Sequence, residues 1–196
     1  MTLPKSDAES ARRAADTLLQ GKIAVLPTDT IYGFSALAIV EGKKSSLDKC
    51  IDRIKKSADS KPLIELIAAP NDLFRYTDQK IPADLLKKWP GALTLLVRNN
   101  AWYSALTGRE ATAFRCPGDE WLRSVISLCD SPIYSTSVNF SGSEPLRSDA
   151  DILREFGGSI SLFVTDAPKP AGLPSTLVSL LDGPAKIIRQ GAVKLS

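Results

Sequence analysis

The apolar run Ile23-Ala24-Val25-Leu26 ends at Pro27 and opens into Thr28-Asp29-Thr30-Ile31-Tyr32-Gly33-Phe34. Proline cannot donate to a strand ladder, so a strand that reaches Pro27 must hand over to a loop there. That loop holds two hydroxyls, a carboxylate and a phenol, and it closes on a glycine that lets backbone or ligand approach closely. A bare Asx or Thr turn leaving a strand would look much the same, with Asp29 capping its own loop. The difference between turn and pocket rests on what other strand ends bring to the same place.

At 196 residues and 43% hydrophobic, the chain has material for one ordinary core, and a single domain over 1–196 is expected. No apolar run approaches a membrane span and the first residues lack a signal-peptide core, so no membrane partner and a cytoplasmic location are expected. Cys50, Cys116 and Cys129 are scattered and odd in number, which reads as buried thiols. Histidine is absent, which removes the Ser-His-Asp, Cys-His and H-E-x-x-H chemistries together. Catalysis by such a chain must work through positioning and charge. The net charge of +3 does not by itself demand a nucleic acid, and an anionic ligand needs the lysines and arginines to converge.

Periodicity predicts helices over Ala8–Leu19 behind a Ser6-Asp7 cap, Ser45–Lys55, Asn71–Tyr76, Pro82–Lys88, Asp119–Leu128 and Asp149–Phe156 behind Ser148. Strands are expected over Lys22–Leu26, Phe34–Ala38, Leu63–Ala68, Ala92–Val97, Ala111–Phe114, Pro132–Ser135 and Ile160–Val164, then a hairpin of Thr176–Leu180 and Ala185–Arg189 around Asp182-Gly183. This alternation predicts an α/β fold, a twisted open mixed sheet flanked by helices. Lys43-Lys44 and Arg12-Arg13 read as solvated helix surface, and Trp89, Trp102 and Trp121 as packing residues rather than a base-stacking platform.

Strand ends then collect Thr28, Asp29, Thr30 and Tyr32; Lys55, Lys56 and Lys61; Arg115; Ser137 and Asn139; Ser175; and Arg189. In an α/β sheet such ends often gather at one edge, where ligands bind. Hydroxyls, an amide and permanent cations suit a ligand with phosphates and a carboxylate, Arg pairing such oxygens in bidentate fashion and Lys as a point charge.

Seven segments, in order, resemble the motifs of the YrdC/Sua5 family: Pro27 to Gly33; Lys61-Pro62-Leu63; Trp89-Pro90-Gly91-Ala92-Leu93-Thr94; Phe114-Arg115-Cys116-Pro117; Ser135 to Gly142; Pro174-Ser175-Thr176-Leu177-Val178; and Ile187-Ile188-Arg189-Gln190-Gly191. The resemblance implies a YrdC-like sheet around a basic cavity, in the short, single-domain form. It also implies a nucleotidyltransferase, threonylcarbamoyl-AMP synthase, which joins L-threonine, bicarbonate and ATP and releases pyrophosphate. Thr28 or Thr30, with Tyr32, Arg115, Ser137 and Ser175, would hold threonine. Lys55, Lys56, Lys61, Asn139 and Arg189 would hold the nucleotide, and Lys55, Ser137 and Asn139 would form the catalytic centre. Mg²⁺ would enter with ATP, and tRNA and downstream threonylcarbamoyl-transferase proteins would be partners. The family's K-x-R reads Lys55-Lys56-Ser57 here, with Ala58 in place of the following proline, so Arg53 or Lys56 would have to supply the missing charge. A diverged nucleotide-binding member with another substrate, or an RNA-binding module without catalysis, are the alternatives.

Overall fold

Among the described residues, apolar runs cut by Pro, Gly and short polar loops become twelve short strands, ten of which form one mixed sheet. The computed structural model describes residues 1–57, 63–166 and 172–195. Its elements are β1 (Thr2–Pro4), α1 (Ser10–Leu19), β2 (Ala24–Leu26), β3 (Gly33–Leu37), β4 (Ile39–Val40), β5 (Lys43–Lys44), α2 (Leu47–Ile54), β6 (Ile64–Leu66), a 3-10 turn (Pro70–Arg75) and α3 (Ala83–Leu86). There follow β7 (Leu93–Arg98), α4 (Ala101–Thr107), β8 (Ala111–Arg115), α5 (Glu120–Cys129), β9 (Ile133–Ser137), α6 (Asp149–Phe156), β10 (Leu162–Thr165), β11 (Thr176–Ser179) and β12 (Lys186–Arg189). The large sheet runs β1-β10-β2-β3-β9-β6-β8-β7-β11-β12, and β4 and β5 pair separately.

Directly paired residues lie on the same face of a sheet, so the register sorts the side chains. One face carries Phe34, Tyr134, Glu65, Phe114, Leu95 and Val178, and it packs on α2, α4 and α6 through Ile51, Tyr103, Ile152 and Phe156. The opposite face is divided. Leu26, Leu37, Ile133, Leu66 and Leu162 meet α1 and α5, while Ser35, Ser135, Ser137, Arg115, Thr94 and Arg189 line up as a polar stripe. This stripe carries three of the expected site residues, Ser137, Arg115 and Arg189.

Several local expectations are corrected. Lys43 and Lys44 form a strand rather than helix surface, and Lys44 Nζ pairs with Asp48 at 2.9 Å. Helix α1 begins three residues after Asp7, which instead accepts the Glu9 N–H at 2.8 Å. The segment Pro70–Arg75 is a 3-10 turn, and Asp72 accepts the N–H of Ala69 just before it at 2.8 Å; Asn71 does not cap it. Helix α4 escapes periodicity because it is only two turns long, although Asn100 caps it through the Tyr103 N–H and Gly108 ends it at φ +67°. Strand β1 escapes because three residues carry no period; they are drawn in by parallel pairing to β10.

A charged cluster lies behind the sheet. Glu65 is 0% exposed, accepts the Tyr103 hydroxyl and lies 3.4 Å from Arg109, which also reaches Asp48 at 3.2 Å. Burial raises its pKa from 4.5 to about 7, opposed by Tyr103 and Arg109. A raised carboxyl pKa contributes stability fully below about pH 4.5, and that contribution is lost as pH rises through about 7. Thermal melts should therefore show the wild type losing about 3 kcal/mol more than Glu65→Gln over that window. A difference that stays flat with pH would show that Glu65 is already ionised at its lower end.

Candidate functional site

The loop between β2 and β3 is built on Thr28. Its Oγ1 accepts the N–H groups of Thr30 at 3.0 Å and Ile31 at 3.1 Å and donates to Ile31 O at 2.7 Å. Thr28 therefore caps the loop. Asp29, expected to do so, reaches across to other segments: Oδ1 meets Arg115 Nη2 at 2.6 Å and Oδ2 accepts the Gly118 N–H at 3.0 Å. The turn is satisfied by a hydroxyl, which leaves the carboxylate for a charge partner distant in sequence.

Arg115 is 5% exposed at the end of β8. Its Nε donates to Gly91 O at 3.0 Å and its Nη1 to Thr30 Oγ1 at 3.0 Å, in addition to the Asp29 pair. A guanidinium has five N–H donors. Three are used among the described residues, which leaves two for a ligand. Burial pulls the Arg115 pKa down and Asp29 opposes it. The expectation of a common sheet edge is not met: Arg115 pairs with Leu66, at the level of Ile133 and Leu37, while Ser137 pairs with Gly33 at the other end of β9. The two share a face instead, and the Thr28 to Tyr32 loop folds over that face to reach Arg115.

Lys55, just past α2, is 8% exposed and gives its ammonium to Ser137 O at 2.5 Å, Asn139 O at 3.1 Å and Asn139 Oδ1 at 2.7 Å. Burial lowers its pKa to about 8. The Asn139 amide is fully used: Oδ1 also accepts from Ser137 Oγ at 2.6 Å, and Nδ2 donates to Phe140 O at 2.9 Å and Ser143 O at 2.6 Å. Lys55, Ser137 and Asn139 thus form one cluster that shapes the loop after β9. Lys56 is not in it. Helix α2 stops at Ile54, Lys56 turns to φ +52° with Nζ 4.7 Å from the Phe140 ring, and Arg53 is exposed. The shared helix face that would let Arg53 stand in for Ser57 does not form. Ser57 Oγ instead lies 3.5 Å from Ser141 Oγ, and Lys61 and Ala58 lie outside the described residues.

A third cluster joins β7, β11 and β12. Ser175 Oγ and Thr94 Oγ1 are 2.8 Å apart, and Arg189 Nη2 donates to Ser175 O at 2.9 Å. Thr94 closes the Trp89 to Thr94 motif but was not among the candidate site residues, because it stands inside an apolar strand rather than in a polar loop at a strand end. Its signal was the period-2 alternation, which turns it away from its buried neighbours Leu93 and Leu95. Tyr32 points elsewhere: its hydroxyl accepts the Asp166 N–H at 2.9 Å, and burial raises its pKa to about 12. Gly172 lies so close that a Cβ would stand 2.1 Å from Thr30 O, so the chain before Ser175 is pressed against the same loop.

Among the described residues no group of three or more His, Cys, Asp or Glu could hold a metal ion, and both Asp29 oxygens are already engaged. No described helix is long and apolar enough to cross a membrane. Trp89 donates from Nε1 to Leu93 O, Trp121 donates to Ser10 Oγ, and Trp102 stacks on Tyr76, all packing roles as expected.

A family model for Sua5, YciO and YrdC, described as telomere recombination, matches residues 16–191. The chain is 30% identical over 190 residues to a threonylcarbamoyl-AMP synthase of Pyrococcus abyssi, covering 94% of this chain and 54% of that protein. It is 30% identical over 200 residues to a threonylcarbamoyl-AMP synthase of Bacillus subtilis, covering 97% and 56%. It thus spans about half the length of these curated relatives. The crystal structure of Pyrococcus abyssi Sua5 complexed with L-threonine superposes with a TM-score of 0.83 at 30% identity, covering 97% of this chain and 57% of that one.

Proposed function

The chain belongs to the Sua5–YciO–YrdC family, and from that premise we propose that it catalyses formation of threonylcarbamoyl-AMP from L-threonine, bicarbonate and ATP. The observation that carries the reading is Arg115: a nearly buried guanidinium with two N–H groups unused among the described residues, beside Thr30 on a polar sheet face. The likeness to a Sua5 crystallised with L-threonine supports it.

The threonine carboxylate takes the two remaining N–H groups of Arg115, with the Ser175 and Thr94 hydroxyls close by on the same face. The threonine amine adds to bicarbonate, losing water, to give a carbamate. A carbamate oxygen then attacks the α-phosphorus of ATP; a P–O bond to the carbamate forms, the bond to the β-phosphate breaks, and pyrophosphate leaves. Lys55 and Arg189 supply positive charge for the phosphates. Lys55 remains largely protonated at neutral pH with a pKa of about 8, and Ser137 and Asn139 hold it in place. No histidine exists to act as base, so rate enhancement comes from holding three reactants together and stabilising charge. Mg²⁺ is a partner of the triphosphate and enters as part of the substrate. The mixed anhydride is then consumed by a threonylcarbamoyl transferase acting on tRNA.

Incubation with ATP, Mg²⁺, bicarbonate and L-threonine should release pyrophosphate only when threonine is present. Folded protein that binds ATP yet releases none, or releases it regardless of threonine, would overturn the reading.

A further inference from the structure

A cation beside a nucleotide site has a selectivity problem. Phosphate groups of ATP and pyrophosphate are strong ligands for a guanidinium, and any of them seated on Arg115 would exclude a carboxylate. The surroundings of Arg115 answer this through Asp29. The Asp29 carboxylate lies 2.6 Å from Nη2 and retains 20% side-chain exposure, so its charge acts on the space where a ligand would dock. It is fixed at both oxygens, because Gly118 donates to the second one from a position where a Cβ would be only 3.0 Å away. It cannot swing aside to admit a second anion.

The consequence follows from how the opposing terms scale. The attraction of a ligand to a site grows in proportion to the ligand charge, while the cost of removing the ligand from water grows roughly as its square. A guanidinium whose charge is cancelled in place offers hydrogen-bond donors and a local dipole but little net field. A singly charged carboxylate can be stabilised by two charge-assisted hydrogen bonds there. A phosphate dianion loses about four times the solvation for the same two bonds.

We propose that Asp29 is a specificity-determining residue: by cancelling the charge of Arg115 in place, it makes that guanidinium a receptor for a singly charged carboxylate and closes it to phosphate dianions. The inference rests on the reading that Arg115 receives the carboxylate of an amino acid. A carboxylate placed this way raises selectivity by rejecting the wrong ligand rather than by holding the right one more tightly.

The test is the competition of inorganic phosphate with L-threonine, measured by titration calorimetry without nucleotide at constant ionic strength and at about pH 8.5, where phosphate is almost entirely the dianion. In the wild type, phosphate should change the apparent threonine affinity by less than about twofold. In Asp29→Asn, which keeps the shape and removes the charge, the same phosphate should weaken threonine by about tenfold or more. Threonine binding that is equally insensitive, or equally sensitive, in both proteins would overturn the charge filter while leaving the amino-acid reading intact. Wild-type protein that binds ATP but no threonine would overturn the amino-acid reading and this inference with it. Circular dichroism checks the fold of the variant. Should Asp29→Asn not fold, the wild type alone decides: acetate should compete with threonine and sulfate should not, and sulfate competing as well as acetate would sink the proposal.

Discussion

Replacing Arg115 by lysine is expected to weaken L-threonine binding by about ten- to a hundred-fold while ATP binding changes little, because charge-assisted hydrogen bonds of this kind contribute roughly 1.5–3 kcal/mol. Lysine retains a positive charge that can still meet Asp29. It cannot also reach Gly91 O and Thr30 Oγ1, which Arg115 holds at 3.0 Å each. Nor can a point charge present two parallel N–H groups to a carboxylate. The loss should appear in the threonine KM and in calorimetric titration of threonine. Equal weakening of threonine and ATP would mean that Arg115 organises the whole face rather than one ligand.

Asn139→Ala should have the largest effect on the fold as well as on turnover. The amide joins four partners, and its removal leaves the buried Lys55 ammonium with two backbone carbonyls and deprives Phe140 O and Ser143 O of a donor. Leaving buried polar groups unsatisfied costs about 1–3 kcal/mol each, so a combined loss of about 2–4 kcal/mol is expected. For a chain of this size that lowers Tm by roughly 5–15 °C. Ser137→Ala removes one hydroxyl donor to Asn139 Oδ1 and should cost only about 1 kcal/mol. If Lys55→Met together with Asn139→Leu recovers stability but not activity, the cluster is needed for its charge. If the Asn139→Ala protein melts like the wild type, the four contacts are not what holds this loop.

Much of the architecture was legible because its causes are local. The strand ending at Pro27, the helix capped by Ser148 and the hairpin at Asp182-Gly183 each follow from residues within one turn of the feature. The candidate residues were legible for a similar reason: short polar groups and cations at strand ends stand out against apolar runs. What was not legible was their pairing. Asp29 looked like a loop cap because a self-turn is the nearest use for a carboxylate, and Thr94 did not stand out because it sits among apolar residues inside a strand rather than in a polar strand-end loop.

The sequence by itself determined the alternation of strands and helices, the exclusion of histidine chemistry and the set of polar residues from which a site could be made. The tertiary structure alone decided that Arg115 faces Asp29 rather than solvent, that Lys55 serves Asn139, and that the site lies across a sheet face rather than along an edge. The physical reason is the separation in the chain. Arg115 and Asp29 are 86 residues apart, and Lys55 and Asn139 are 84 apart. No periodicity or cap spans such distances; strand register, a property of the whole sheet, sets which face each strand presents, and the loops leaving the strands fold over that face to bring the groups within hydrogen-bond reach.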